Sequence, residues 1–273
     1  MMKDNMRHAW LIIAHNEFEI LQMLVSAIDA PDSDIFVHID KKVKDLPVLK
    51  ADKCSLRFLG NRVDVRWGSV SQIECEMVLM EETLRHGPYD YYHIISGTTL
   101  PLVSGEDLER FFESNSGNSI LTGLCHDDPY QETLKVRRTN LFLKNYTAKG
   151  FLGRASQFLW KASIALQRVF GIERNRGMEF YKASNWLSLT QEAVEYIVAR
   201  KQLILKTFRC SFCGDEYFIP TELMASPLKD KVINSDNYLK REIARSTASV
   251  FSLDDLPGLR NSGYLFARKF TSK

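Results

Sequence analysis

Cysteine, glycine-rich motifs and long apolar runs are scarce in this chain of 273 residues, and each shortage excludes a class of protein. The five cysteines form an odd and sparse set, which favours reduced thiols over a disulfide framework. No stretch reaches the roughly 18 consecutive apolar residues that a membrane-spanning helix needs. The composition is 45% hydrophobic and 26% charged, so the chain can bury a core, and we expect a single domain over residues 1–273.

The short sequence motifs that mark several enzyme classes are absent from this chain. There is no Gly-x-Gly-x-x-Gly, no Walker-type phosphate loop and no His-Glu-x-x-His, so nicotinamide enzymes, P-loop ATPases and zinc proteases are not indicated. Cys210 and Cys213 have the spacing of half a zinc site, but no second Cys or His pair accompanies them. Asp32 and Asp34 form an Asp-x-Asp in a Pro-led turn before an apolar run, where aspartates usually form turns.

The net charge of only +2 conceals an uneven distribution of charge. Residues 133–178 hold ten basic residues and one acid, Glu173, and the rest of the chain is acidic. Such a segment is expected to face an anion: a phosphate-bearing substrate, an anionic lipid surface or nucleic acid. Aromatic and aliphatic residues alternate with its basic ones, which predicts a basic amphipathic helix that either lies at a membrane interface or packs on the domain with a solvated basic face.

Short apolar runs alternate with amphipathic stretches over the first 110 residues, which indicates strands alternating with helices. The predicted strands are residues 10–14, 35–39 and 91–96, and the predicted helices are residues 21–28 and 70–84. Further on, residues 185–189 and 266–270 are apolar segments, and residues 191–205 have helical spacing. This order predicts an α/β fold with a mainly parallel sheet, whose ligands bind beyond the carboxyl ends of the strands.

Seven segments, taken in order, carry a resemblance to a known family. They are AHNEFEILQMLVSAI, DIFVHIDKK, VRWGSVSQIECEMVLM, YDYYHIISGTTLPL, KASNWLSLTQEAVEYI, CGDEYFIPTEL and GYLFARKF. The set resembles the core-2/I-branching β-1,6-N-acetylglucosaminyltransferase family, glycosyltransferase family 14, and is similar to peptide O-xylosyltransferases. The resemblance implies a GT-A fold with a Rossmann-like mainly parallel sheet, inverting transfer from a UDP-sugar, and no metal cofactor.

The resemblance also implies roles for individual residues. Glu216, after Asp215 and before an apolar aromatic stretch, matches the catalytic base. An apolar stretch can raise the pKa of one of two adjacent carboxyl groups toward the range of a general base, but adjacent acids are also common without such a role. Arg245 and Lys269 match a basic pair that holds the UDP diphosphate in place of a metal. Of the other donor-binding candidates, His15, Asn16 and Asp40 follow predicted strands, whereas Arg66 and Trp67 are expected to close the donor pocket.

The residues expected to bind the acceptor match the family's sequence pattern less closely than the donor-binding residues do. Ser184, Asn185 and Trp186 resemble the family's loop near the acceptor, where an indole suits stacking on a sugar ring, although Trp186 also fits a core position. Thr99 stands where family members commonly have an acidic residue, which puts a sugar-contacting carboxylate there in doubt. Four residues in the acceptor region receive no assigned role: Glu132, Lys135, Arg137 and Arg138.

These observations lead to one expected function with alternatives. We expect an inverting, metal-independent glycosyltransferase that moves a sugar, first of all N-acetylglucosamine, from a UDP-sugar to a glycan or lipid-linked glycan. A bacterial cytoplasmic address, peripheral at the inner membrane face, and a role in surface polysaccharide synthesis are expected with it. Xylosyl or other sugar transfer is the alternative within the enzyme class. A non-enzymatic protein that binds an anionic ligand or nucleic acid is the remote alternative, and we expect no nucleic acid as a partner.

Overall fold

The structure is a computed structural model that describes residues 6–240, 243–244, 247–248 and 250–272. The predicted phosphate ligand Arg245 lies outside the described residues. The strands are β1 (His8–Ala14), β2 (Ser33–Ile39), β3 (Ser55–Phe58), β4 (Tyr91–Ser96), β5 (Leu100–Pro101), β6 (Ser119–Leu121), β7 (Leu187–Thr190), β8 (Val232–Asn234), β9 (Leu239–Lys240), β10 (Ile243–Ala244), β11 (Thr247–Ala248) and β12 (Phe266–Ala267).

Helices cover both the amino-terminal and the carboxyl-terminal parts of the chain. They are α1 (Phe18–Ala27), α2 (Ser71–Leu84), α3 (Gly105–Ser114), α4 (Pro129–Val136), α5 (Phe151–Val169), α6 (Gln191–Ala199), α7 (Lys201–Phe208), α8 (Phe218–Met224) and α9 (Leu256–Arg260). Short 3-10 turns occupy Leu143–Asn145, Gly214–Glu216, Lys229–Lys231 and Leu253–Asp255. Among the described residues, no helix combines the length and the apolarity that crossing a bilayer requires.

A seven-stranded sheet in the order β3-β2-β1-β4-β7-β6-β8 forms the centre of the molecule. The pairs β1 with β2, β1 with β4, β2 with β3 and β6 with β8 are parallel, and β7 is antiparallel to both its neighbours. Every residue of β4 is buried, as expected for a strand covered on both faces. The predicted α/β fold with a mainly parallel sheet is therefore confirmed.

A crevice is expected beyond β1, because the order of the strands reverses there. Strand β1 pairs with β2 on one side and with β4 on the other, so the connections that follow β1 and β4 leave the sheet edge in opposite directions. The two strand ends approach closely, since a Cβ added to Gly97 would lie 2.6 Å from the Cβ of Ala14. Glycine at position 97 lets these two loops meet at the edge.

The predicted helix over residues 191–205 is two helices in the structure. Arg200 separates α6 from α7 with φ −97° and ψ 6°, values outside the helical region, which ends the first helix. Its side chain points away from the helical axis to donate from Nε to Oε2 of the buried Glu222, 2.5 Å away. This ion pair with α8 accompanies the break, which the apolar spacing alone did not indicate.

A chain of polar side chains, buried except for the partly exposed Glu109, crosses the sheet. Glu109 Oε2 lies 2.9 Å from His8 Nε2, and His8 Nδ1 lies 2.8 Å from His93 Nε2. His93 Nδ1 is 2.6 Å from Ser188 Oγ, which is 2.8 Å from the Tyr238 hydroxyl. Burial, together with the nearby His8, holds the pKa of His93 well below its ordinary value, so this ring is neutral in the core.

Helix α2 carries one carboxyl group, that of Glu76, inside the core. Glu76 is buried, and neither of its carboxyl oxygens has a hydrogen-bond partner among the described residues. Burial, followed by the charge of Asp215, raises the pKa of Glu76 well above its ordinary value. The group therefore takes up a proton in the folded protein at a pH where the unfolded chain has lost it.

We expect the substitution Glu76→Gln to stabilise the protein by an amount that grows with pH. Above the ordinary carboxyl pKa of 4.5, the folded state binds more protons than the unfolded state, so the native protein loses stability as the pH rises until the raised folded-state pKa is passed. Glutamine does not titrate and loses nothing over that window. The difference in unfolding free energy should change by at most about 1.4 kcal/mol per pH unit, measured by urea unfolding from about pH 5 to 8.

The matched control is Glu74→Gln, which removes an exposed carboxylate from the same helix. Its effect on stability should stay nearly constant over the same pH range. A pH-independent difference between Glu76→Gln and the native chain would contradict the burial argument.

Candidate active site

Glu216 lies on a tight turn that several contacts shape. It ends the 3-10 turn Gly214–Glu216, between α7 and α8, and its side chain is 23% exposed. Cys213 enters the turn with a left-handed φ of 52°, and a Cβ on Gly214 would lie 3.2 Å from the ring of Phe208. The backbone N–H of Ala183 donates to the carbonyl of Glu216 at 3.0 Å. The turn thus presents this carboxylate at the surface in a defined place.

Four charged side chains of alternating sign form a ring at Glu216. Lys135 Nζ lies 3.2 Å from Asp127 Oδ2 and 3.8 Å from Glu216 Oε2. On the other side, Lys182 Nζ lies 3.4 Å from Asp127 Oδ1 and 3.8 Å from the same Glu216 oxygen. The hydroxyl of Tyr217 donates to Asp127. We call Asp127, Lys135, Lys182 and Glu216 the charged ring.

The pKa directions within the charged ring follow from these contacts. Burial lowers the pKa of Lys135, but Glu216 and Asp127 outweigh it, so the pKa of Lys135 is raised overall. Burial raises the pKa of Asp127, but the Tyr217 hydroxyl, Lys135 and Lys182 bring it below its ordinary value. Burial and the bond to Asp127 raise the pKa of Tyr217. At neutral pH these three groups are an ammonium, a carboxylate and a phenol.

Asp215 points inward and connects the turn to a second loop. Its Oδ2 accepts from Gln72 Nε2 at 3.0 Å and from Asn185 Nδ2 at 3.3 Å. Gln72 Oε1 accepts from the backbone N–H of Gly68 at 2.7 Å, and the carbonyl of Gly68 accepts from the N–H of Cys213 at 2.9 Å. Two separate connections therefore hold the loop at residue 68 against the turn that carries Glu216.

The donor-side candidates His15, Asp40 and Lys269 meet at the carboxyl ends of β1 and β2. Asp40 is buried, and its Oδ2 accepts from Lys42 Nζ at 2.6 Å. Burial and the charge of Lys269 lower the pKa of His15, while Asp40 acts in the opposite direction. The backbone joins Lys269 to this edge, because its neighbour Phe270 donates its N–H to the carbonyl of Thr98 at 3.0 Å.

The remaining donor-side candidates, Asn16, Arg66 and Trp67, have different surroundings. Asn16, partly buried, follows His15 in the loop beyond β1. Arg66 NH2 pairs with Asp64 at 2.6 Å, and Arg66 NH1 donates to the carbonyl of Lys144 at 3.0 Å. Trp67 is 51% exposed, with its ring edge-on to Phe212 at 5.3 Å between centroids. The indole is thus available at the surface, whereas the Arg66 guanidinium is engaged by Asp64.

The predicted acceptor residues lie beside the charged ring, but two of the three face inward. Asn185 is buried and donates to Asp215, as described above. Trp186 is buried as well, with the Arg268 guanidinium 4.8 Å from its ring centroid. Ser184 is partly exposed, and its Oγ accepts from the N–H of Trp186 at 3.2 Å. The core position that the sequence left open for Trp186 is the one it occupies in this structure.

Two members of the charged ring, Asp127 and Lys182, were not singled out from the sequence. Lys182 is the first residue of the matched segment KASNWLSLTQEAVEYI, two positions before Ser184. Lys135 belongs to the four residues left without a role. Only their distance from Glu216 distinguishes them from other charged residues. The sequence signal that distinguishes Lys182 is its place inside a segment that resembles the family.

The clefts at the surface lie away from Glu216, and the described residues hold no cluster of metal ligands. Two surface clefts lie elsewhere, one against Arg57, Val78 and Arg85 and one around Tyr89 and Gln191. Within residues 6–240, 243–244, 247–248 and 250–272, no group of three His, Cys, Asp or Glu side chains is arranged to hold a metal ion. Burial, with the charges of Asp215 and Glu216, raises the pKa of the Cys213 thiol, which disfavours the thiolate that zinc requires.

Comparison with known proteins identifies the class to which this fold and site belong. A family model described as Core-2/I-Branching enzyme matches residues 8–249, nearly the whole chain. The chain therefore belongs to the core-2/I-branching enzyme family, which is a family of glycosyltransferases. A search of curated proteins found no match. The predicted family is confirmed, and its sugar donor and glycan acceptor follow in general terms.

The contact between Gly68 and Phe212 gives a stability prediction. A Cβ at Gly68 would lie 2.6 Å from the Phe212 ring, and the residue has φ +73°. Gly117 has a similar φ of +80° but open space around it. We expect Gly117→Ala to lower the unfolding free energy by about 1–2 kcal/mol through backbone strain alone, and Gly68→Ala to lower it by about 1–3 kcal/mol more through overpacking.

Urea unfolding of the two variants and the native chain measures this difference. Gly68→Ala should also reduce sugar transfer, because Phe212 and Cys213 lead directly into the turn at Glu216, while Gly117→Ala should leave it unchanged. Equal losses of stability in the two variants would contradict the close approach.

Proposed function

We propose that this protein is an inverting glycosyltransferase that moves a sugar from a UDP-sugar to a hydroxyl of a glycan. N-acetylglucosamine is the proposed sugar and a lipid-linked glycan the proposed acceptor, in the synthesis of a bacterial surface polysaccharide. The observation that carries the proposal is the placement of Glu216. Its partly exposed carboxylate lies on a turn that hydrogen bonds through Asp215 and Gln72 join to the loop beside Trp67.

In the proposed reaction Glu216 is the general base. The acceptor hydroxyl oxygen forms a bond to the anomeric carbon while the bond from that carbon to the UDP oxygen breaks on the opposite face. Glu216 takes the hydroxyl proton as the new bond forms, and the electron pair of the broken bond leaves with UDP. A base in the charged ring has ammonium groups 3.8 Å away, which can also donate hydrogen bonds to sugar hydroxyls after small movements.

Lys269 is proposed to stabilise the leaving group. A fixed cation beside the departing diphosphate supplies charge stabilisation that a divalent metal supplies in other enzymes. Its electrostatic effect on His15 is consistent with a position at the crevice. Arg245 is the proposed second cation, and Asp40 and His15 are proposed to bind the nucleoside. On this basis we propose that the reaction needs no metal.

A panel of UDP-sugars, with release of UDP as the readout, tests the donor and the metal. We expect UDP release from UDP-N-acetylglucosamine at the same rate in excess EDTA and with manganese. Preference for UDP-xylose would assign the alternative donor on the same fold, and strict dependence on manganese would overturn the metal-independent mechanism. UDP binding, measured by calorimetry, distinguishes a missing acceptor from a wrong donor class when no release occurs.

Substitution of Glu216 and Lys269 separates chemistry from binding. Glu216→Gln should leave UDP affinity unchanged and lower transfer by about 10²–10⁴-fold, because it removes only the proton acceptor. Lys269→Ala should weaken UDP binding as well as transfer. The control Glu179→Gln, which neutralises a well-exposed carboxylate, should keep both. Equal loss of UDP binding in the first two variants would contradict the separate roles.

A further inference from the structure

Helix α5 packs on the protein with an unusually polar face. Its buried residues recur every three or four positions and so form one stripe: Gly153, Ser156, Trp160, Ile164 and Gln167. Three of these five are small or polar. Gln167 Oε1 accepts from the N–H of Thr139 at 2.8 Å, and Trp160 Nε1 donates to Asn140 Oδ1 at 2.8 Å. Hydrogen bonds therefore make up much of this attachment.

The opposite face of α5 is apolar and exposed. Phe151, Phe158 and Val169 are 83%, 70% and 79% exposed, and at 3.6 residues per turn they lie along one line of the helix. Four more exposed apolar residues lie beside them. We call the whole set the apolar face of α5: Phe151, Leu152, Phe158, Leu159, Leu166, Val169 and Phe170. The helix thus exposes seven large hydrophobic side chains and buries only two, Trp160 and Ile164, which differs from a helix whose apolar face covers a core.

A row of cations borders the apolar face. Arg154, Lys161 and Arg168 recur at every seventh position, which places them on one flank of α5, and all three are exposed. None of the three forms an ion pair with any residue that the structure describes. The sequence contains no Asp or Glu between Thr133 and Ile172. We call these three residues the basic row.

The basic row indicates whether a second copy of this chain or a lipid surface covers the apolar face of α5. A second copy of this chain would bring a second basic row and no acidic residue from this segment, so self-association here adds like charges. An anionic bilayer offers both a layer for large apolar side chains and negative headgroups for the cations beside them. Aromatic and aliphatic side chains on one face with Lys and Arg on its flank are the pattern of helices that lie in a membrane interface.

Helix α5 lies close to the turn Gly214–Glu216, which carries the proposed catalytic base and which we call the catalytic turn. Trp160, on the buried stripe, contacts the Phe212 ring at 5.7 Å between centroids, and Tyr146 contacts both rings. Phe212 is followed by Cys213 and the turn that ends at Glu216. The thickness of one helix, about 10 Å, thus separates the apolar face from the segment that leads to Glu216.

We propose that α5 docks the protein on an anionic lipid surface, with the apolar face inserted among the acyl chains and the basic row on the headgroups. Docking in this orientation brings the bilayer beside the catalytic turn, where a lipid-linked acceptor of the proposed reaction is presented. The docking itself does not depend on the identity of the sugar or on any transfer, so it is tested without either.

Co-sedimentation of the full chain with vesicles tests the proposal. Equimolar phosphatidylcholine and phosphatidylglycerol should pellet the protein, phosphatidylcholine alone should pellet much less, and added salt should weaken the first result. Phe158→Ser with Val169→Ser should weaken binding to the anionic vesicles roughly tenfold. Replacing Arg154, Lys161 and Arg168 by Gln should weaken it by about fivefold for each charge, with little change on neutral vesicles.

Matched variants outside α5 test whether the location matters. Val48→Ser with Leu203→Ser removes two exposed apolar side chains, and replacement of Lys44, Lys50 and Lys53 by Gln removes three exposed charges. Both should bind like the native chain. All substituted residues are exposed, so circular dichroism should report unchanged folding for every variant.

Three results would overturn the proposal. The first is equal recovery of the native chain in the supernatant with both vesicle types. The second is a loss of binding in the Lys44, Lys50 and Lys53 variant as large as that in the basic-row variant, which would indicate unspecific attraction. The third is a concentration-dependent dimer without vesicle binding, seen by sedimentation velocity and abolished by Phe158→Ser with Val169→Ser, which would assign the apolar face to a second copy.

Discussion

The anchoring of the turn that carries Glu216 is the constraint on which the rest of the site depends. Three hydrogen bonds from two distant parts of the chain hold it. Gly68 and Gln72 bond to Cys213 and Asp215, and the N–H of Ala183 donates to the carbonyl of Glu216 itself. Each bond alone contributes only about 0.5–1.5 kcal/mol, but together they leave the turn few alternative positions. A base that must meet an acceptor hydroxyl within hydrogen-bonding distance requires this kind of support.

The anchoring also explains why the two adjacent carboxylates have different surroundings. Asp215 turns toward amide donors inside the protein, and Glu216 turns toward the ammonium groups of the charged ring. Opposite charges around a partly exposed carboxylate limit the energetic penalty of holding several charges close together. Asp127 completes the charged ring, since without it Lys135 and Lys182 would face each other across Glu216.

Helix α5 packs against the segment that leads into the same turn. Its Trp160 and the Phe212 ring belong to a small hydrophobic cluster that is separate from the main core of the sheet, together with Leu143 and Ile164. The turn is therefore placed between two bodies, the sheet on one side and α5 on the other.

Much of the sheet was predictable from local patterns, because buried strands and amphipathic helices impose their periodicity on neighbouring residues. Strands β1, β2 and β4 and helices α1 and α2 occur where the apolar runs predicted them. The break at Arg200 was not predictable, because it accompanies an ion pair with Glu222 on another helix. The α/β class and the family could be predicted from the sequence. The seven segments occur together in the order found in the family, and this order is specific although each segment alone is a weak signal.

By itself, then, the sequence determined strands β1, β2 and β4, helices α1 and α2, the family and the basic character of residues 133–178. Only the tertiary structure decided which charges meet. Lys182 and Asp127 are 55 positions apart, and Gln72 and Asp215 are 143 apart, yet each pair is in contact. Periodicity describes neighbours along the chain, whereas these contacts depend on the paths of loops between distant strands. The same reason applies to α5, whose amphipathic pattern was visible but whose exposed face became known only from its packing.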